Sequence, residues 1–592
     1  MYSVSDEYKV DFYKDFRNNS FAEISFSIEE KAPRADSTTT CNVNEMDYSS
    51  YPWESNTKPI ISVATLEDDR LKLDGSLSVY NEDAPLNSNF VAEEISDENG
   101  EFETNPIITI TFGTEYSFAG LNLLFDEFSK EYAIDFEIKA YQGATLLDTH
   151  TVIGNANYNY NYIHNYNDVD KITIEFMRVL PYHRARLSYL TYGIEKIWGN
   201  DDLLEDGLIY TNRVDPLSRE LPENSIEFTI DNYENLFNPD NPSGLYQYLH
   251  ENIEVSARLG YLLDSGSIEW VTLGKFYLSE WSADDYSARF KAVGILNTLT
   301  NMYLEEAPTT TTIQSVSLAD KLEQLMFYEG LNTHLTYDNS LENIYTTAPL
   351  PNATVAECLQ YIANAGNCIL YTDRNGYIHI EPYNSQVQDF KIDSNIAEED
   401  GRELELESIL KNVNVKWYKY VIGDTKAVYS GDMEVSGVVL TTINLEKPAQ
   451  DISVSVSGAD LLTYVAGFMR VDIAMYSETS QTAYITINGR EIEAVEQDYV
   501  ENVNNSGEDA ELDNPVITNM ENATSVALYT KNILNKRNKY KIQYRGAPEL
   551  DACDKVLFDS KFSQNLTYLV TSNKITFNGG IMGELEGRVI WK

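Results

Sequence analysis

Apolar residues recur at every second position, in short runs, along nearly the whole chain. Ile226, Phe228 and Ile230 alternate with polar residues. So do Ile108, Ile110 and Phe112, then Phe136, Ile138 and Ala140, then Ile172, Ile174 and Phe176, and later Val413, Val415 and Trp417. That is the period of a strand with one face buried and one wet. Turn chemistry separates the runs: Asp231-Asn232 closes one, and Asn-Pro breaks follow it. Helical spacing is confined to a few places. Ser317 caps a run of Leu318, Leu322, Leu325 and Met326, which Gly330 stops. Thr354 and Glu357 make a capping box ahead of Val355, Leu359 and Ile362, with Gly366 as the stop. A third helix is expected over 523–535, and Asn375-Gly376 marks a hairpin turn. The chain is expected to be mainly β with a small α/β lobe.

Global properties narrow the function classes. A chain of 592 residues suggests roughly three to five domains. The net charge of −51 repels nucleic acid and argues against specific DNA binding. It keeps copies soluble, and a negative inner wall would let DNA pass without sticking. The 42 Tyr against 22 Phe suit wet interfaces and sugar stacking as well as strands. Cys41, Cys358, Cys368 and Cys553 are scattered without a CxxC pair, so they read as small apolar residues rather than a zinc or disulfide framework. The opening MYSVSDEYKV has no basic or apolar signal region, and no membrane-spanning apolar run is present. A cytosolic, reducing place of synthesis fits that pattern.

The segment 214–249, VDPLSRELPENSIEFTIDNYENLFNPDNPSGLYQYL, resembles the tail hub (tail-tip, baseplate hub) proteins of long-tailed phages of Gram-positive hosts. GKFYLSEW (274–281), YRGAPELDACDKVLF (544–558) and KITFNGGIMGELEGRV (574–589) carry the same resemblance, with Cys553 where glycine would be unsurprising. A second resemblance lies upstream. ATLEDDRLKLDGSL (64–77), ITITFG (108–113) and KITIEFMRVLPYHRARLSYLTYGI (171–194) look like a discoidin or galactose-binding-like jelly roll. The expected organisation follows: 1–30 as N-terminal strands of the hub, 31–45 as a linker, and 46–198 as an inserted β-sandwich. Then come a first hub β-barrel domain over 199–310, the α/β lobe over 311–388, and a second barrel domain over 389–592 with an exposed acidic loop at 501–515.

The search for chemistry is mostly negative. The six His form no HExxH motif and no i, i+3 or i, i+4 pair, and neither GxSxG nor GxxxxGK[ST] occurs. With 94 acidic residues, glycosidase-like pairs such as Asp68-Asp69 and Glu93-Glu94 arise by chance, although such an enzyme needs a defined carboxylate spacing. No enzyme activity, cofactor or metal is expected. The one candidate ligand site is for carbohydrate, which needs an aromatic face and planar polar groups. Tyr51, Trp53 and Glu54 supply both in one polar stretch, Tyr182, His183 and Arg184 in another, and Tyr160 sits in an Asn/Tyr stripe. For Tyr182 and Arg184 the alternative is that they pin the last strand pair; Trp53, flanked by Tyr, Pro and Ser, is not obviously core.

The hub resemblance implies a structural role: a homotrimer at the distal end of a virion tail, closing the tail tube. Its partners would be the distal tail protein or tube ring, the tape-measure protein, and receptor-binding or fibre proteins. Genomic DNA would only pass through the channel. The inserted sandwich would contact host cell-wall glycan or a neighbouring tail protein. A free-standing carbohydrate-binding adhesin is the alternative, and a glycan-degrading enzyme a third reading.

Overall fold

In the strand Ser20–Glu29, Ala22, Ile24, Phe26 and Ile28 point inward and Ser25, Ser27 and Glu29 outward, as the alternation requires. This computed structural model describes all residues except 31, 48, 52, 54–66, 68–89, 126–130, 242–243, 384–386 and 591–592. Strands make up 55% of it and helices 12%, so the mainly β class holds.

The N-terminal strand belongs to a sheet whose other members lie far along the chain. It pairs with Glu254–Leu262, which pairs with Ile268–Ala283, then Ser287–Val293, Glu223–Asp231 and Leu203–Arg213. Phe26, Trp198, Phe228 and Phe290 pack ring against ring beneath it. Turns after Glu223–Asp231 step by three residues, from Asn232 through Asn235 and Asn238 to Asn241. They carry Phe237 and Leu245 back into the same core.

Two separate closed barrels are not what the chain builds. Leu203–Arg213 takes Leu566–Phe577 as its second neighbour, with Tyr210 opposite Ile575. That strand continues into Ile581–Ile590, Asn538–Tyr544 and Ala397–Leu406, with Lys555–Phe558 and Val387–Ile392 on a side branch. Among the described residues the pairings form a branched path that never returns to its start. The physical reason is that both edges of Leu203–Arg213 are used, one by each half of the chain, so neither half closes on itself. One apolar core consequently runs from Ile24 and Phe228 through to Val570 and Leu585.

The inserted part is a sheet ordered Thr145–Val152, Asp135–Gln142, Asn159–Arg178, Ile107–Leu124, Ser37–Cys41. The pair Phe90–Ile95 and Arg184–Leu187 contributes to the same core. The expected linker over 31–45 is corrected here. Ser37–Cys41 is a strand of this sheet and Glu45 bridges to Ala92, because alternate Thr side chains there fit a strand as readily as a loop.

The lobe has the expected helices Leu318–Tyr328 and Val355–Ala365, with the Ser317 cap and the Thr354/Glu357 capping box formed. The hairpin of Ile369–Thr372 and Ile378–Glu381 turns through Gly376 at φ 86°. A third helix, Met520–Leu534, completes the lobe's core with Ala523, Val526 and Ala527. A long antiparallel pair, Leu410–Asn444 with Arg470–Asn502, leaves the lobe and builds a small core of its own around Val471, Met475 and Ile485. The acidic loop expected at 501–515 is only partly a loop. Glu508–Asp513 runs parallel to the start of that pair and buries Leu512; its alternate acids face solvent, so charge alone did not exclude a strand.

Candidate binding surfaces

The carbohydrate candidates do not converge. Trp53 is 0% exposed, and its Nε1 donates to Thr39 Oγ1 at 3.0 Å. Its ring face lies in the sandwich core beside Tyr51, which stacks on Phe90 at 6.2 Å. This corrects the expectation of a surface stacking platform: a Trp in a polar sequence is still buried when its one donor finds a partner. Glu54 lies outside the described residues. Arg184 reaches the other end of the strand that carries Phe90, opposite Ile95, about 17 Å along at ordinary strand rise. Its backbone N–H donates to Glu67 at 2.9 Å and its guanidinium lies against the same carboxylate.

Tyr182 sits in a tight turn at φ 62° with half its surface exposed, and the His183 N–H donates to Ser96 Oγ at 3.1 Å. The two hold the turn before the last strand pair. Tyr160 is elsewhere, edge-on to Phe136 at 5.1 Å, its hydroxyl 2.8 Å from His150 Nε2. Beside it Tyr162 stacks on His150 at 3.6 Å, and burial pushes its phenol up to about 12. A sequence motif near Arg184 hides the most buried ion cluster of the sandwich: Arg186 binds both Glu67 and Glu131. The three side chains are nearly fully buried, so removing one of them would leave an uncompensated charge in the interior.

A cleft is found instead where the insertion meets the rest of the molecule. One strand, Tyr189–Trp198, makes the strand pairings of the junction, and the Tyr248 hydroxyl donates across it to Asn165 Oδ1 at 3.2 Å. The strand's first half pairs with 121–124 of the sandwich, and its second half with 24–29 of the N-terminal strand. Gly193, at φ 156°, is the point of transfer. A Cβ there would run into the carbonyl oxygen of Ile28 and lie 2.9 Å from Glu29 Cα, closer than carbon atoms pack. The outward residues of four strands thus line one continuous face. Ser25, Ser27 and Glu29 stand beside Glu195 and Thr191, with Asn122 beyond and Glu254 and Ser256 on the near side. They enclose a cleft of about 570 Å³.

Hydrogen bonds fix the lining. Ser25 Oγ donates to Glu195 Oε1 at 2.7 Å and Asn159 Nδ2 to Glu195 Oε2 at 2.9 Å. The Asn122 amide donates to Asn161 at 2.9 Å. At one end, Arg34 donates to the Tyr189 hydroxyl at 2.7 Å, and burial raises that phenol. Sequence reasoning missed these residues. Alternation marks each as outward-facing, but nothing local says that strands so far apart in sequence lie side by side.

Among the described residues no cluster of three or more His, Cys, Asp or Glu is arranged to hold a metal ion, and no helix is long and apolar enough to cross a membrane. No family model matches the chain, and neither does any curated protein. Several solved structures are similar to it at low scores. The tail protein from Neisseria meningitidis MC58 has 10% identity and a TM-score of 0.36, over 64% of this chain and 91% of that one. The 43 kDa tail protein of prophage MuSo2 from Shewanella oneidensis has 10% identity and a TM-score of 0.36, over 66% and 95%. Prophage tail protein gp18 from Listeria monocytogenes EGD-e has 11% identity and a TM-score of 0.36, over 66% and 91%. Scores at that level do not assign a function, which is argued below from the chain's own residues.

Proposed function

We propose that this protein is the tail-tip hub of a phage or phage-like tail, a structural part that closes the tail tube and anchors receptor-binding components. The observation that carries the reading is the discontinuous body. Residues 20–29 share a sheet with 254–262, and the main core joins them to 390–589. The sandwich leaves and re-enters that body between adjacent strands. A body split by an insertion at this place is what the hub resemblance of segments 214–249, 274–281, 544–558 and 574–589 implies. A mechanical role also fits the buried groups described above, which are engaged in packing and ion pairing. On this reading the working state is a homotrimer next to the distal tail protein or tube ring and the tape-measure protein. The tail is that of a Gram-positive host's phage, and the inserted jelly roll projects outward to touch host glycan or a neighbouring tail protein.

The test is assembly. Light scattering of purified protein, alone and with the tail-tube ring protein, should give a trimer. Labelled particles should carry the label at the distal end of the tail. A stable monomer that joins no tail particle would remove the hub reading.

A further inference from the structure

The cleft at the junction strand has a composition that selects its occupant. Its lining is mostly hydroxyl, amide and carboxylate, with Tyr189 and His250 as the aromatic members and Leu124 and Ile253 as apolar ones. The polar groups donate and accept in several directions at once, as a ring of hydroxyls requires, and an apolar chain would leave them unsatisfied. Its volume of about 570 Å³ lies within the range of small-ligand sites, about 300–1,000 Å³.

Charge narrows the class further. Glu29, Glu30, Glu195 and Glu254 line the cleft; among the described residues they are set against Arg34, which lies over the Tyr189 ring at one end, and Lys275, 3.3 Å from Glu254, so acids are in excess. An anionic ligand would meet like charge in a recess partly withdrawn from water. The floor is preorganised. Glu195 is held by Ser25 and Asn159, and Asn122, 6% exposed, is locked onto Asn161. A ligand that binds here therefore orders few side chains, which lowers the cost of association.

We propose that this cleft binds a saccharide of one or two rings that is neutral or bears an amine, and that it rejects acidic and phosphorylated sugars. The proposal rests on the glycan-contact part of the function proposed above and not on the tail assignment. It moves that contact from the sandwich loops to the junction. A site made jointly by the insertion and the main body also exists only when both are folded and docked, which ties recognition to the state of the whole chain.

The experiment uses the full chain and saturation-transfer NMR. The probes are methyl glucoside, methyl galactoside, N-acetylglucosamine, glucosamine, glucuronic acid, glycerol 3-phosphate and tetralysine. The expected result is saturable binding of at least one neutral or amino sugar and none of the two anions. Ser27→Tyr and Thr191→Tyr, which fill the cleft from two strands, should each weaken that binding at least tenfold at unchanged melting temperature. Trp281→Ala, on a different groove, should leave it unchanged. No saturation by any sugar, binding that survives both filling variants, or binding of tetralysine in place of sugars overturns the proposal. The last outcome would assign the cleft to a basic protein segment. Sugar binding by a chain that never enters a tail would sink the hub reading alone.

Discussion

Replacing Gly193 by alanine tests the close approach of the junction strand to the N-terminal strand. The added Cβ would meet backbone on the partner strand, with Glu29 Cα and Ile28 C both at 2.9 Å and the Ile28 oxygen closer still. Backbone cannot rotate away as a side chain can. Ordinary contact begins near 3.4 Å and the Ile28 oxygen lies at 1.9 Å, so the strands must part by more than an ångström. Forcing a methyl into a packed site costs about 1–3 kcal/mol. An alanine held at φ 156° adds on the order of 1 kcal/mol or more. Loosening the neighbouring bond from Glu30 N–H to Tyr192 O, now 2.9 Å, loses about 1 kcal/mol. Together these give about 3–5 kcal/mol, felt locally rather than across the molecule. Hydrogen exchange reads that scale directly. The amides of 24–30 and 193–198 should exchange about 100-fold faster or more in Gly193→Ala, while those of the lobe helix Val355–Ala365 stay protected. Protection at 24–30 within a factor of about three of the wild type would refute the close approach assigned to Gly193.

Three further outcomes are expected. Trp53→Ala should destabilise the sandwich by about 3–5 kcal/mol, seen as an earlier fluorescence transition in urea. A fully stable variant that loses glycan binding would return Trp53 to ligand contact. Cys553 sits at φ 84°, so Cys553→Gly should raise the urea midpoint by up to ~1 kcal/mol worth of stability and Cys553→Val should lower it. Equal midpoints would show that the turn is not strained. The Glu549 carboxyl, wholly buried and bonded by the Tyr13 hydroxyl, is held above its usual value of 4.5 by burial. A raised acid contributes stability fully below pH 4.5 and loses it as pH rises through the folded value. Glu549→Gln should therefore flatten the fall in stability above pH 4.5, and an unchanged pH slope would exclude Glu549 as its source.

The sequence by itself determined the local elements. Period-two runs became strands, the Ser317 and Thr354 caps became helix starts, and Asn375-Gly376 became a turn. Each depends on neighbours within a few residues, so short-range chemistry decides it. Partner choice was not legible, because a strand's outward face looks the same whatever lies beside it. Tertiary structure decided that Leu203–Arg213 would join both halves of the body and so prevent two closed barrels. It also decided that Trp53 would be core, and that 508–513 would be a strand rather than a loop. Above all it decided the cleft. Ser27, Thr191 and Glu195 are unremarkable polar residues in sequence, and they share a surface because one strand, bent at Gly193 where only a glycine fits, pairs with two different sheets.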